Sequence, residues 1–112
     1  MVVGRHIIAE FYGVDKEFIA YEDKVKSILE PLCDKVDFEK VGSIYKQFHP
    51  WGVTGVILIE ESHLSIHTWP EYGLVNLDIF TCGDLNEAHK AFELLVQAFD
   101  PEHYKQHVLD RG

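Results

Sequence analysis

Residues 60–71 read Glu-Glu-Ser-His-Leu-Ser-Ile-His-Thr-Trp-Pro-Glu, a run that alternates like a β-strand yet is crowded with reactive groups. Two serines and two histidines sit among carboxylates. A strand required only to pack has no use for such density. Cys82 closes the next apolar stretch. Serine, histidine and cysteine brought together point to covalent chemistry. The hydroxyl or thiol would act as nucleophile or proton donor, and an imidazole would carry protons near neutrality.

Secondary-structure elements must hold these groups in place. Residues 5–12 alternate, with Ile7, Ala9 and Phe11 on one face, and predict a strand. Asp15 is a helix N-cap, and Phe18, Tyr21, Val25, Ile28, Leu29 and Leu32 follow helical spacing up to Pro31 near the helix end. Residues 37–48 are expected to be extended. The β-branched run 53–60 predicts a central strand, and 63–69 continues extended. Residues 70–73 form a turn, and 74–82 a return strand. Asp84 and Glu87 form a capping pair that opens a second helix, whose buried stripe is Leu85, Ala88, Phe92, Leu95, Val96 and Phe99. Pro101 ends it, and 103–109 make a last strand. The order β-α-β-β-β-α-β predicts an α+β fold, a two-layer sandwich with a largely antiparallel sheet and two helices on one face.

The hairpin fixes a register. Leu64 and Ile66 must share a face with Val75, Leu77 and Ile79. The other face then collects His63, Ser65 and His67 with Asn76, Asp78, Phe80 and Cys82. A turn centred between Glu71 and Tyr72 sets Cys82 opposite Glu61, beside the Glu61–Ser62 peptide bond.

A chain of 112 residues forms one domain with a limited core, so oligomerisation would help it. Nineteen acids against ten bases give a net charge of −9, which argues against nucleic acid and is compatible with a cationic small molecule. No apolar run approaches the roughly 20 residues that span a bilayer. No membrane partner is expected, and the first ten residues lack a signal-peptide pattern. Cys33 and Cys82 lie in different contexts, which fits a reduced, cytoplasmic location. No glycine-rich phosphate loop is present, so pyridoxal phosphate is not expected. His63 and His67 are four apart in a strand-like stretch without the HExxH acid, so no metal is expected either.

Three segments carry a resemblance: Gly52-Val53-Thr54-Gly55, residues 61–71, and Phe80-Thr81-Cys82-Gly83. Together they resemble the prokaryotic S-adenosylmethionine decarboxylase proenzyme family, over nearly the whole chain. Decarboxylation of an amino acid needs an electron sink, and a carbonyl that condenses with the substrate amine is one. The resemblance implies that this carbonyl is a pyruvoyl group made from Ser62. Ser62 would attack the carbonyl of Glu61, the chain would open, and residues 1–61 and 62–112 would become two fragments of one domain. By the same resemblance His67 is the processing proton carrier, Thr54 the hydroxyl that assists it, and Cys82 the acid that returns a proton to the substrate. Phe48 matches a stacking position for adenine, Glu71 a partner for the ribose hydroxyls, and Leu64 a pocket-lining position whose backbone can hold the substrate; Trp69 is a further candidate for substrate binding. The family implies S-adenosylmethionine as substrate, a product that donates aminopropyl groups for polyamine synthesis, and a dimer with shared active sites. His49 and Trp51 fill variable positions, and Glu60 is an unusual second acid beside the scissile bond.

Two rivals stand against this reading. One is the same chemistry on arginine, which would want carboxylates around its guanidinium and no stacking ring. The other is a small-molecule-binding α+β module that never cleaves. Taken singly, Ser62 reads as a turn serine, Cys82 as a small buried hydrophobe, Glu71 as a solvated charge, and Phe48, Leu64 and Trp69 as core. His6, His49, His89, His103 and His107 belong to no evident constellation.

Overall fold

Strand alternation and helical spacing produce ten elements in the computed structural model, which describes all 112 residues. They are β1 (Gly4–Tyr12), α1 (Lys16–Ile19), α2 (Glu22–Lys35), β2 (Lys40–Gln47), β3 (Val53–Ile59), β4 (Ser62–Trp69), a 3₁₀ turn (Pro70–Tyr72), β5 (Leu74–Thr81), α3 (Leu85–Phe99) and β6 (His103–Arg111). The sheet order is β2-β3-β4-β5-β1-β6, with every neighbouring pair antiparallel. α2 and α3 cover one face, giving the expected α+β two-layer arrangement.

The covered face is built from alternate strand residues. Ile7, Ala9 and Phe11 meet Ile79, Leu77 and Val75; Ile79 and Leu77 in turn meet Leu64 and Ile66, and Leu64 meets Ile57. Val25, Leu29 and Leu32 of α2 and Ala88, Ala91, Phe92, Leu95 and Phe99 of α3 close over them. Phe11 contacts Phe92 and Phe99 edge-on at ring-centroid distances of 5.8 and 6.3 Å. The β4–β5 register is the expected one: Leu64 faces Ile79, Ile66 faces Leu77 and His63 faces Phe80.

The structure departs from expectation in three local places. The first helix is two helices. Asp15 does cap α1, its Oδ1 accepting from Glu17 N at 2.9 Å. Tertiary donors then capture the next carbonyls. Thr68 Oγ1 donates to Ile19 O at 2.7 Å, and Gln47 Nε2 and Gly52 N donate to Ala20 O at 3.1 and 2.9 Å. The helix stops there and restarts at Glu22, whose N–H donates to Gln47 Oε1 at 2.6 Å. Pro31 lies inside α2, in the C-terminal part of a helix that runs on to Lys35.

Between the helical segments run four strands, not three. The chain reverses at residues 60–61, where Ile59 pairs with Ser62, so residues 63–69 run back beside β3 instead of extending it. At α3, Asp84 is the N-cap, accepting from Asn86 N at 3.0 Å, but no reciprocal box forms. Glu87 Oε2 accepts from Asp37 N at 2.8 Å and ties the helix start to the segment before β2. Ala91 joins the buried stripe, and Leu85 and Val96 are only half-buried.

Thr68 is the buried polar side chain that links both layers, since it also accepts from Val53 N at 2.9 Å. Thr68→Val keeps the shape and strands both backbone partners. It is expected to cost about 1–3 kcal/mol in urea unfolding. An unchanged midpoint would mean that the bridge contributes nothing.

Candidate active site

The other face of the sheet has no helices on it. The register lays its residues in rows across the strands. One row is Leu58, His63, Phe80, His6; the next is Val56, Ser65, Asp78, Ile8; the next is Thr54, His67, Asn76, Glu10. Chemistry-bearing groups thus occupy the middle of this open face and one end of it, while Ser62, at the other end of β4, shares the parity of Leu64 and Ile66 and turns its side chain toward the helix side.

At the β3–β4 turn, Ser62 Oγ is buried and has no hydrogen-bond partner. The adjoining cavity of about 140 Å³ is lined by Asp37, Glu39, Glu60, Glu61, Asp84 and Glu87, and no lysine or arginine lines it. Glu61 O accepts from Cys82 N at 3.2 Å, the pairing the sequence register anticipates. The carbonyl beside Ser62 is therefore already held by a backbone donor, while the serine oxygen is uncommitted. Cys82 is exposed, contrary to its bland reading, and Cys33 is buried. Burial raises the Cys33 thiol pKa above its ordinary value, which suits an inert core cysteine.

At the far end, Phe48, Trp51, Gly52, Thr54, His67, Thr68, Trp69 and Glu71 line a cavity of about 390 Å³, large enough for a small organic ligand. Thr54 Oγ1 lies 3.0 Å from His67 Nδ1. Trp69 is half-exposed, and its Nε1 donates to Asn76 Oδ1 at 2.7 Å. The loop carrying Phe48 and Trp51 is pinned by Gln47, whose Nε2 also donates to Phe48 O and Gly52 O at 2.9 and 3.1 Å.

Of the residues singled out in sequence, the structure brings Glu61, Ser62 and Cys82 together at one end. It gathers Phe48, Thr54, His67, Trp69 and Glu71 at the other. It does not join the two sets within one chain. Ser62 and His67 are five residues apart on an extended strand, about 16 Å at 3.3 Å per residue. Leu64 joins neither set: its side chain is fully buried toward the helices and its strand is paired on both edges.

Sequence reasoning missed Gln47, the Cys82 backbone donor, and a cluster in the middle of the face. There His6 Nε2 and His63 Nε2 lie 2.8 and 2.9 Å from Asp78 Oδ1, and Ser65 Oγ donates to the other carboxylate oxygen. His63 thus turns to His6 rather than to His67, the partner considered for a ligand set. Parity on β1 put His6 on this face; only the β1–β5 pairing could put it beside Asp78. Burial pushes the Asp78 carboxyl pKa up, but hydrogen bonds from Ser65, His6 and His63 outweigh it and hold the group below its ordinary value.

A pyruvoyl group at residue 62 fits what is there. The serine oxygen that would be consumed is orphaned and buried, and the carbonyl it would attack already has a donor. Residues 5–112 match the family described as S-adenosylmethionine decarboxylase. The S-adenosylmethionine decarboxylase proenzyme of Archaeoglobus fulgidus is 65% identical over 112 residues, covering all of both chains. That of Thermoplasma acidophilum is 49% identical over 110 residues, covering 98% of this chain and 84% of its own. The crystal structure of the adenosylmethionine decarboxylase from Aquifex aeolicus superposes with a TM-score of 0.95 at 39% identity, covering 99% of this chain and 92% of that one. A Trypanosoma brucei structure shares the fold, with a TM-score of 0.69 at 18% identity, covering 93% of this chain and 45% of that one. The chain belongs to the S-adenosylmethionine decarboxylase family.

Because the folded pKa of Asp78 lies below its unfolded value, its carboxylate adds stability above the unfolded value, near pH 4, and loses it as pH falls through the folded one. Wild type should therefore be more stable than Asp78→Asn at pH 6–7, with the gap closing below about pH 4. Thermal melts at both pH values check this; a gap that widens on acidification would reverse the sign.

Proposed function

We propose that the protein decarboxylates S-adenosylmethionine through a pyruvoyl group that it makes from Ser62. The observation that carries this is the buried, unpartnered Ser62 Oγ beside the Glu61 carbonyl, in a chain of this family.

Ser62 Oγ adds to the Glu61 carbonyl carbon. The Cys82 N–H bonds the oxygen on which charge then develops, the role of an oxyanion donor. The amide C–N bond breaks, its nitrogen takes a proton, and an ester remains. Loss of the Ser62 α-proton expels Glu61 as a carboxylate and leaves a dehydroalanine, which water converts to the pyruvoyl group and ammonia. The fragments are residues 1–61 and 62–112. The pyruvoyl ketone supplies the electron sink for loss of CO2. The exposed Cys82 thiol returns a proton to the substrate carbon. Phe48 and Trp69 offer aromatic faces to adenine, and Glu71 accepts from the ribose hydroxyls. An aromatic pocket with a single carboxylate suits a nucleoside better than a guanidinium, which favours S-adenosylmethionine over arginine. The product would serve polyamine synthesis in the cytoplasm; no helix is long and apolar enough to cross a membrane.

The gap between Ser62 and His67 supports a reading in which the remaining groups come from a second copy. Proton transfer needs heavy atoms about 3 Å apart, and the strand separates them by about 16 Å. A two-fold copy laid across the open face, with its β4 running the opposite way, would bring one chain's Thr54–His67 pair to the end of the sheet where the other's β3–β4 turn carries the Glu61–Ser62 bond. Exposed Ile44, Val56 and Leu58 on that face supply apolar surface for such a contact. The functional unit is then a homodimer with two shared sites.

Ser62→Ala should remain a single uncut band on a denaturing gel and release no CO2. Cys82→Ala should cleave yet decarboxylate weakly; normal turnover would remove its role. Coexpressed Ser62→Ala and His67→Ala chains test the sharing, because one mixed site holds both native groups. The His67→Ala chain should then be cut in the mixture and not alone. No cutting in the mixture would confine the chemistry to one copy.

A further inference from the structure

The middle of the open face carries a group of side chains that neither cleavage nor substrate binding uses. We infer that His6, His63 and Asp78 form a binding site for a divalent transition metal of the zinc class.

The three residues come from three adjacent strands. His6 and His63 both face Phe80, from β1 and β4, and Asp78 is the next residue along β5 on the same side. Two imidazoles therefore flank one aromatic ring and lean toward one carboxylate. Phe80 holds them apart, with its centroid 5.6 Å from that of His6 and 5.8 Å from that of His63. All three donor atoms lie within 4.8 Å of one another. Around a tetrahedral ion with bonds of 2.0–2.1 Å, ligand atoms stand about 3.3 Å apart. The observed separations of 2.8 and 2.9 Å to Asp78 Oδ1 need to open by only about half an ångström, within the reach of small side-chain rotations.

The surroundings favour ligation too. Ser65 occupies the second carboxylate oxygen, which fixes the carboxyl plane and leaves Oδ1 toward the imidazoles. Strands, unlike loops, hold the set rigid. Two imidazoles and one carboxylate suit zinc, cobalt or nickel and not magnesium or calcium, which prefer all-oxygen shells. A neutral imidazole frees Nε2 by carrying its proton on Nδ1, so binding needs no unusual ionisation. Three protein ligands leave a fourth position for water or for a group from the second copy. Such an ion would also join His6, from residues 1–61, to His63 and Asp78, from residues 62–112. The inference does not rest on the proposed reaction.

Cobalt(II) added to chelator-treated protein tests it. One equivalent per chain should bind saturably at micromolar concentration, with the visible absorption of a four- or five-coordinate ion, and zinc should displace it. His6→Gln and Asp78→Asn should each weaken binding at least tenfold, while His103→Gln on β6 should leave it unchanged. Nitrogen-15 imidazole NMR of the unmutated protein needs no variant: zinc should shift Nε2 of His6 and His63. Absent saturable binding, or zinc shifts confined to the other histidines, the cluster is a hydrogen-bonded network and nothing more.

Discussion

The pairing of β4 with β5 is the constraint on which the rest depends. One face of both strands is buried under helices, so a slip of one residue would expose Leu64, Ile66, Leu77 and Ile79 and bury histidines. Burial of four large apolar side chains, each about 1.5–3 kcal/mol, outweighs any preference of the polar face. That same register sets the Cys82 N–H on the Glu61 carbonyl and Asp78 between two imidazoles. Packing on one side of the sheet thus fixes the positions of reactive groups on the other.

This explains which parts were legible in sequence. The strand faces follow from alternation, which is local information, and the Glu61–Cys82 juxtaposition follows from them only once the turn is centred between Glu71 and Tyr72. The split between α1 and α2 does not. It depends on Thr68, Gln47 and Gly52 reaching back from distant positions to take the carbonyls of Ile19 and Ala20. Propensity cannot anticipate donors that arrive through tertiary contact. The reversal at residues 60–61 was hidden for a different reason: two glutamates carry none of the usual turn signals. Pairing β1 with β5 rather than with a sequence neighbour was equally invisible, and with it the place of His6.

The site residues divide in the same way. Phe48, Thr54, His67, Trp69 and Glu71 meet because a loop pinned by Gln47 folds over the end of β4. Leu64 was counted with them from resemblance, yet alternation already gave it to the core. The distance between the two ends of β4 is a property of strand geometry, so side-chain motion within one chain cannot remove it. An uncovered sheet face with apolar residues at one edge and ionisable groups across its centre is accordingly the most informative surface of the molecule.

The sheet order has a further consequence. β1, from the first half of the chain, lies between β5 and β6 from the second half, and β2 and β3 extend the sheet beyond β4. Neither half has a complete set of neighbours without the other. A break after residue 61 therefore leaves the assembled molecule held by whole ladders of hydrogen bonds, but it removes the tether that made those ladders easy to find. Before such a break, folding is an intramolecular search; afterwards, reassembly would be a bimolecular encounter between two incomplete sheets. Maturation would convert an equilibrium fold into one that persists through its slow rate of coming apart, and unfolding it would be a one-way event.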